Sequence, residues 1–204
     1  MKIIVNINKL ICKTKILIII FCVSQPTFAE KISLNEINNY INGLTMLQAD
    51  FEQINSDGSI DTGKLYIRRP GKMRLEYAAP SNALVIVGAG SVSIFDNKFN
   101  NTPIQFPLKE TPLNLILKKD VNLNKNDLVS GHSSKNQNTH IIIQESSRTS
   151  KDKIEIVFKN NPVNLLGWII TNKSDQETTI VLDKLNKEAN IPLYLFNIAT
   201  INND

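Results

Sequence analysis

Apolar positions along this chain recur first at helical spacing and then, from residue 47, at every second residue. Leu34, Ile37, Tyr40, Ile41 and Leu44 make one side of a helix. Ser33-Leu-Asn-Glu36 ahead of them has the form of a capping box, in which the Ser hydroxyl and Glu carboxylate satisfy each other's backbone N–H groups. Gly43 helps to stop that helix. The period then becomes two: Leu47, Ala49, Phe51 and Gln53 face one way, Asp50 and Glu52 the other. Asp57-Gly58 predicts a turn, Lys64 to Arg69 a second strand, and Pro70-Gly71 another reversal. Lys72-Met-Arg-Leu-Glu-Tyr77 alternates strictly, with Met73, Leu75 and Tyr77 on one face. Ala83 to Val87 is continuously apolar, as in a strand covered on both faces, and Gly88-Ala-Gly90 leads on to a strand from Ser91 to Asp96.

Pro103, Pro107 and Pro112 then forbid a central strand. Thr111-Pro112 predicts a helix start, Thr as N-cap and Pro in the first turn, followed by Leu113, Leu115, Ile116 and Leu117. Strand patterns resume at 127–132, 139–145, 153–159, 165–172, 178–184 and 192–199, and Ser130 to Asn138 and Ser146 to Asp152 read as exposed loops. The sum is a mainly β (α+β) fold, an antiparallel meander of about eleven strands that curls because sheets twist. Two short helices are too little to fill a closed barrel and enough to cover an open one. We expect an incomplete barrel with a helical lid over an apolar cavity.

The beginning of the chain stands outside this pattern. Lys2, Lys9, Lys13 and Lys15 precede the apolar run Ile16 to Val23, and Thr27-Phe28-Ala29 places small residues three and one positions before Glu30. Residues 1–29 are therefore expected to be a cleavable export signal cut near Ala29, and 30–204 a single domain. The apolar run falls well short of the roughly 20 residues that cross a bilayer as a helix. Phe21 stands where a lipobox before Cys22 would need a small residue, so an unanchored periplasmic protein is expected.

Removing the four lysines takes the 23 basic residues to 19, equal to the 19 acidic ones. The basic excess goes with the signal, and with it the case for a nucleic-acid partner. Both cysteines, Cys12 and Cys22, go too, so the remaining domain has no disulfide, thiol nucleophile or Cys-based metal site.

Candidate chemistry is sparse. His132 and His140 sit in no catalytic or metal-binding motif, and Gly88-Ala-Gly90 has too few glycines for a dinucleotide cradle. Asp50 and Glu52 share the polar side of their strand, which makes them a solvated surface in place of an acid–base pair. No enzyme activity, cofactor or metal is expected. Trp168, among Leu165, Leu166, Ile169 and Ile170, serves equally as ligand wall or core strand. The informative position is Arg69: by parity it shares the side of Leu65 and Ile67, while Arg68 joins Tyr66 on the other. A guanidinium facing the concave interior needs hydrogen-bond acceptors, and its five donors suit free helix-end or loop carbonyls.

In the order Phe51-x-Gln53, Gly63-x-Leu65, Arg69-Pro70-Gly71-Lys72-Met73-Arg74, Glu76-Tyr77, Pro80 and Thr111-Pro112-Leu113, the chain resembles the periplasmic outer-membrane lipoprotein carrier family (LolA). The likeness covers most of residues 44–118 and continues beyond 120 only as strand pattern. It implies an unclosed antiparallel barrel whose hollow takes lipoprotein acyl chains under a lid of helices. It also implies that Arg69 hydrogen-bonds to lid backbone and holds the empty carrier closed. Met73 and Leu75 stand where the family often has Phe and Trp, which leaves the wall apolar but changes a position that bears on docking.

The expected function is that of a monomeric periplasmic chaperone carrying acylated lipoproteins from the inner to the outer membrane. Its expected partners are an inner-membrane lipoprotein-releasing ABC transporter complex and an outer-membrane lipoprotein acceptor. Arg69 would be the lid latch. Phe51, Leu65, Ile67, Met73, Leu75, Tyr77, Leu84, Ile86, Leu113, Leu115, Ile116 and Trp168 would line the acyl-chain cavity. The alternative is an extracytoplasmic binding module for free lipid or glycolipid on the same scaffold.

Overall fold

The computed structural model describes residues 30–96, 103–125, 128–144 and 152–198. The expected signal segment and most of the Ser146 to Asp152 loop lie outside them. Helix α1 (Leu34–Gly43) leads into strands β1 (Met46–Ile54), β2 (Ile60–Arg68), β3 (Lys72–Tyr77), β4 (Leu84–Gly88), β5 (Ser91–Phe95) and β6 (Ile104–Pro107). A short 3-10 turn (Leu108–Glu110) and helix α2 (Leu113–Leu117) follow. The chain then forms β7 (Val129–Lys135), β8 (Asn138–Ile143), β9 (Lys153–Lys159), β10 (Asn164–Thr171) and β11 (Glu177–Asn186), and ends its described part in a 3-10 turn (Leu193–Phe196).

The fold is mainly β, a single open, curved sheet of 11 strands in the order β6-β5-β4-β3-β2-β1-β11-β10-β9-β8-β7. Two meanders, β1 to β6 and β7 to β11, are joined by the antiparallel pairing of β1 with β11, and β6 and β7 remain as edges. The prolines around β6 are tolerated because an edge strand needs donors on one side only. That is why a strand forms where the proline pattern argued only against a central one.

Strand alternation places Leu47, Ala49, Phe51, Leu65, Ile67, Met73 and Leu75 on the concave side, all buried. They join Ile37 and Ile41 of α1 and Leu115, Ile116 and Leu117 of α2 in one core. Two glycines make the sheet geometry possible. A Cβ at Gly63 would lie 2.1 Å from the Glu76 carbonyl oxygen and 2.7 Å from the Phe51 ring. Only a hydrogen fits there, so the Phe51 ring can lie across the strand it pairs with. At Gly167, where φ is +151°, a bulge shifts the β9–β10 register and puts both Leu165 and Trp168 inside.

Three expectations are corrected. The segment expected as a strand over 192–199 is not one in its described part, 192–198: both edges of β11 are already paired, with β1 and β10, so the chain after it has no free edge to extend. It crosses the convex side instead, where Ala189, Ile191 and Phe196 form a second small cluster with Met46, Tyr66 and Leu195. Arg68 Nη1 donates to the Ile191 carbonyl at 2.6 Å and Arg74 Nη1 to that of Leu195 at 2.9 Å. Next, Ser130 to Asn138 is a tight hairpin and not a loop. Its turn is Asn136 and Gln137, at φ 51° and 64°, the left-handed conformation that two-residue hairpins require. Finally, Thr111 does not cap α2 with its side chain, because its hydroxyl turns back to the Leu108 carbonyl at 2.9 Å.

Candidate functional site: a lidded apolar cavity

The two ends of the half-barrel are built differently. At the end where β2 runs out and β3 begins, α1 and the segment after α2 are stitched together. Asn42 donates to the Val121 carbonyl at 2.8 Å and accepts from the Val121 N–H at 2.9 Å, and buried Asn38 accepts from the Leu123 N–H at 2.9 Å. α1 itself starts with the expected capping box, Ser33 with Glu36. It ends without a left-handed residue, Leu44 being extended at φ −77°, so its last carbonyls need other donors.

Arg69 supplies them. Its Nη1 donates to the carbonyls of Ile41 and, at 3.2 Å, Leu44. Its Nη2 donates to those of Lys118 and, at 3.4 Å, Lys119. The Gly71 N–H adds a bond to the Leu117 carbonyl at 2.8 Å. One guanidinium thus bridges the C-terminus of α1 and the segment leaving α2, where the helix-end carbonyls favour a cation. Burial pushes the Arg69 pKa down and the nearby charge of Asp120 pushes back. Arg stays charged under such a shift because it starts so high.

Toward the opposite end the concave side opens into a cavity of about 450 Å³, within the size range of small-molecule sites, roughly 300–1,000 Å³. Its apolar wall is Leu75, Tyr77, Val85, Val92, Ile94, Phe106, Pro112, Leu113, Trp168, Ile170 and Ile180. Gln53, Glu110, Thr111, Asp152 and Thr178 complete the lining. At about 30 Å³ per water-sized group, the cavity holds roughly fifteen methylenes. A larger depression, about 790 Å³, is rimmed by Asp50, Lys64, Glu76, Asp183 and Lys184. Those charges suit water, not a hydrocarbon chain.

Among the sequence-derived cavity residues, Leu75, Tyr77, Leu113 and Trp168 line this space. Phe51, Leu65, Ile67, Met73, Leu115 and Ile116 are packed in the adjoining core. Leu84 and Ile86 are corrected: they pair with Glu76 and Arg74 and therefore share the convex side, while Val85 and Val87, partners of Leu75 and Met73, face inward. The apolar run Leu84 to Val87 carries no alternation from which to read parity. Ile86 is nonetheless fully buried, on the side that the C-terminal 3-10 turn crosses. Val92, Ile94, Phe106 and Ile180 were not singled out from sequence: Val92, Ile94 and Phe106 share the inner face through the pairing of Val87 with Val92, Val85 with Ile94 and Val92 with Phe106, which a two-residue count along the chain does not carry across the turns. Ile170 stands two residues from Trp168, in the segment considered as a ligand wall.

Of the polar residues considered for chemistry, Glu52 is exposed and the other three have structural partners. Asp50 bonds Lys64 at 3.4 Å and Lys184 at 2.9 Å. His132 Nε2 meets the Ile32 carbonyl at 2.8 Å and His140 Nδ1 the Glu155 carboxylate at 2.6 Å. Among the described residues, no group of three or more metal-ligating side chains comes together, and no helix is long and apolar enough to cross a membrane.

An open half-barrel with an apolar cavity and a lid held through backbone carbonyls defines a binding or carrier scaffold. The family model described as "Outer membrane lipoprotein carrier protein LolA" matches residues 42–199, and the chain belongs to that family. Among its relatives is an uncharacterised protein of Rickettsia prowazekii, 28% identical, the match covering 83% of this chain and 79% of that one. An outer-membrane lipoprotein carrier protein of Chromohalobacter salexigens is 23% identical, with 74% of this chain and 75% of that one covered. Among solved structures, a LolA superfamily protein from Nitrosomonas europaea covers 83% of this chain and 99% of its own, at 9% identity and a TM-score of 0.45. The Pseudomonas aeruginosa MucA/MucB complex matches at 13% identity and a TM-score of 0.46, covering 80% of this chain and 59% of the matched one.

Proposed function

We propose that this protein is a periplasmic carrier that takes the acyl chains of lipoproteins leaving the inner membrane and delivers them to the outer membrane. The observation that carries the reading is Arg69, which joins both pieces of the lid at one end of a concave face whose other end opens into an apolar cavity. An acyl methylene gains about 0.8 kcal/mol on leaving water, so a chain needs continuous apolar cover to leave a membrane. The membrane offers the same gain. Loading therefore calls for an external energy source, such as a lipoprotein-releasing ABC transporter complex, and unloading for an acceptor that binds slightly better.

The cavity has room for about one chain, so a cargo with two chains has to displace the lid. Opening it breaks the Arg69 bonds to Ile41, Leu44, Lys118 and Lys119, which makes the arginine the latch of a two-state element. Arg69→Leu is expected to speed hydrogen exchange in 113–125 and to alter the amount of acylated protein that co-purifies from envelope extract. If neither changes, the latch is wrong. Mass spectrometry of the co-purified ligand separates this reading from the alternative: diacylglyceryl-cysteine protein supports the carrier, whereas phospholipid or glycolipid alone supports a lipid-binding module.

A further inference from the structure

The outer side of the cavity wall is left uncovered. Gln53 and Ile180 line the cavity from β1 and β11. By alternation their neighbours Ile54 and Val181 face the convex side. Ile54 pairs there with Ile60 of β2, and Val181 lies diagonal to it, two residues along β11 from its partner Thr179. Ile54 is 40% exposed, Val181 44% and Ile60 62%, so three of the six exposed large hydrophobic residues among those described lie together. The next strand does not shield them, since Gly167, opposite Val181 on β10, has no side chain. Beyond β2 the same convex side is treated differently: the chain's own 3-10 turn crosses it, and Ile86 is fully buried there.

The charge around these residues is one-sided. At the turn end, a depression of about 580 Å³ takes in Ile54 and Thr179 together with Asp57, Asp175 and Glu177, and among the described residues no lysine or arginine lines it. On the other side, Val181 borders the depression of about 790 Å³, where Asp50, Glu52, Glu76 and Asp183 meet Lys64 and Lys184. Both lysines are committed to Asp50, at 3.4 and 2.9 Å, and Glu76 is held by Arg74 at 2.6 Å. Seven acids therefore face three bases around this patch, whereas residues 30–204 as a whole carry 19 of each.

We infer that this convex face, centred on Ile54, Ile60 and Val181, docks a protein partner that presents apolar residues ringed by lysine and arginine. An apolar centre with a charged rim is the make-up of a protein interface, and the sign of the rim selects the occupant. A second copy related by a two-fold axis would set the same carboxylates against themselves. An anionic bilayer surface would meet the same repulsion. Docking here seats the partner on the outside of the cavity wall, one strand layer from the cavity itself, and is independent of what the cavity holds.

Two synthetic amphipathic helices, one of leucine and lysine and one of leucine and glutamate, are labelled with a dye and titrated against the purified protein at low salt, with anisotropy as the signal. The leucine–lysine helix is expected to bind and to slow hydrogen exchange in 52–62 and 177–183, and the leucine–glutamate helix to bind at least about tenfold more weakly. Ile54→Ser combined with Ile60→Ser should weaken the leucine–lysine helix by about tenfold, and Ile60→Ser alone, the milder change should the pair unfold, by about threefold. Trp168, the single tryptophan, faces the cavity, so its emission should stay unchanged throughout, which shows that the fold is intact and that the probe is not inside. Equal binding of the two helices, binding of neither, or leucine–lysine binding that survives Ile60→Ser overturns the docking surface. Self-association in sedimentation velocity, or cosedimentation with phosphatidylglycerol vesicles, that is lost in Ile60→Ser also overturns it, by giving the patch to a second copy or to a membrane.

Discussion

The end of the half-barrel that holds Arg69 and the end that holds Tyr77 share one sheet and one concave face, yet they solve opposite problems. At the first, Ile67 and Met73 are fully buried and Arg69 knits two lid segments through main-chain acceptors. At the second, Leu75, Tyr77 and Ile94 face an unfilled space, and the hydrogen bonds run between side chains. The difference lies in what completes each end. A packed end is satisfied by the protein's own residues; an unpacked end keeps apolar surface in reserve for a ligand, which costs stability when empty.

That contrast is open to measurement. The largest effect should come from equivalent truncations at the two ends: Ile67→Ala leaves a buried void and should cost about 3–4 kcal/mol, while Ile94→Ala only enlarges an existing cavity and should cost about 1–2 kcal/mol. Urea unfolding of both variants decides it, and equal losses would mean that the cavity is not a ready-made space.

A second comparison uses pH. Burial, with a smaller contribution from the charge of Asp61, pushes the Tyr77 pKa from 10.0 up to about 12. The neutral phenol is thus favoured by folding: its contribution is whole below pH 10 and is lost as pH rises to about 12. The loss should be about 3 kcal/mol. In Tyr77→Phe, the fall in thermal stability across that alkaline window should shrink by the same amount, and an unchanged fall would place the titration elsewhere.

The smallest effect belongs to the lid. Asn42→Ala removes both bonds to Val121 and should cost about 1–2 kcal/mol, with faster exchange of the Val121 amide and little change at Tyr77. Exchange that rises equally at both ends would show that lid and cavity open together.

Much of this was legible along the chain. The strand from Lys72 to Tyr77 and the capped helix after Ser33 follow from spacing, since period two and period 3.6 each assign a face. Arg69 could be placed inside for the same reason, as it follows Leu65 and Ile67 in parity. Leu84 and Ile86 could not be placed, because a run apolar at every position has no phase. Nor could the fate of 192–199, whose apolar residues suit a strand until both edges of β11 are taken.

By itself, the sequence determined the period of most segments, and so the mainly β meander, the capping box of α1, the inward arginine and the membership that the residue pattern suggested. Only tertiary structure decided which apolar surface would be filled and which left open. Local spacing sets the side toward which a residue points, but whether anything meets it there depends on chain segments far away. The hydrogen bond from the Tyr77 hydroxyl to Gln53 depends on this as well: its partners are 24 residues apart in sequence and 2.6 Å apart in space. The pairing of β1 with β2 and of β2 with β3 brings them there.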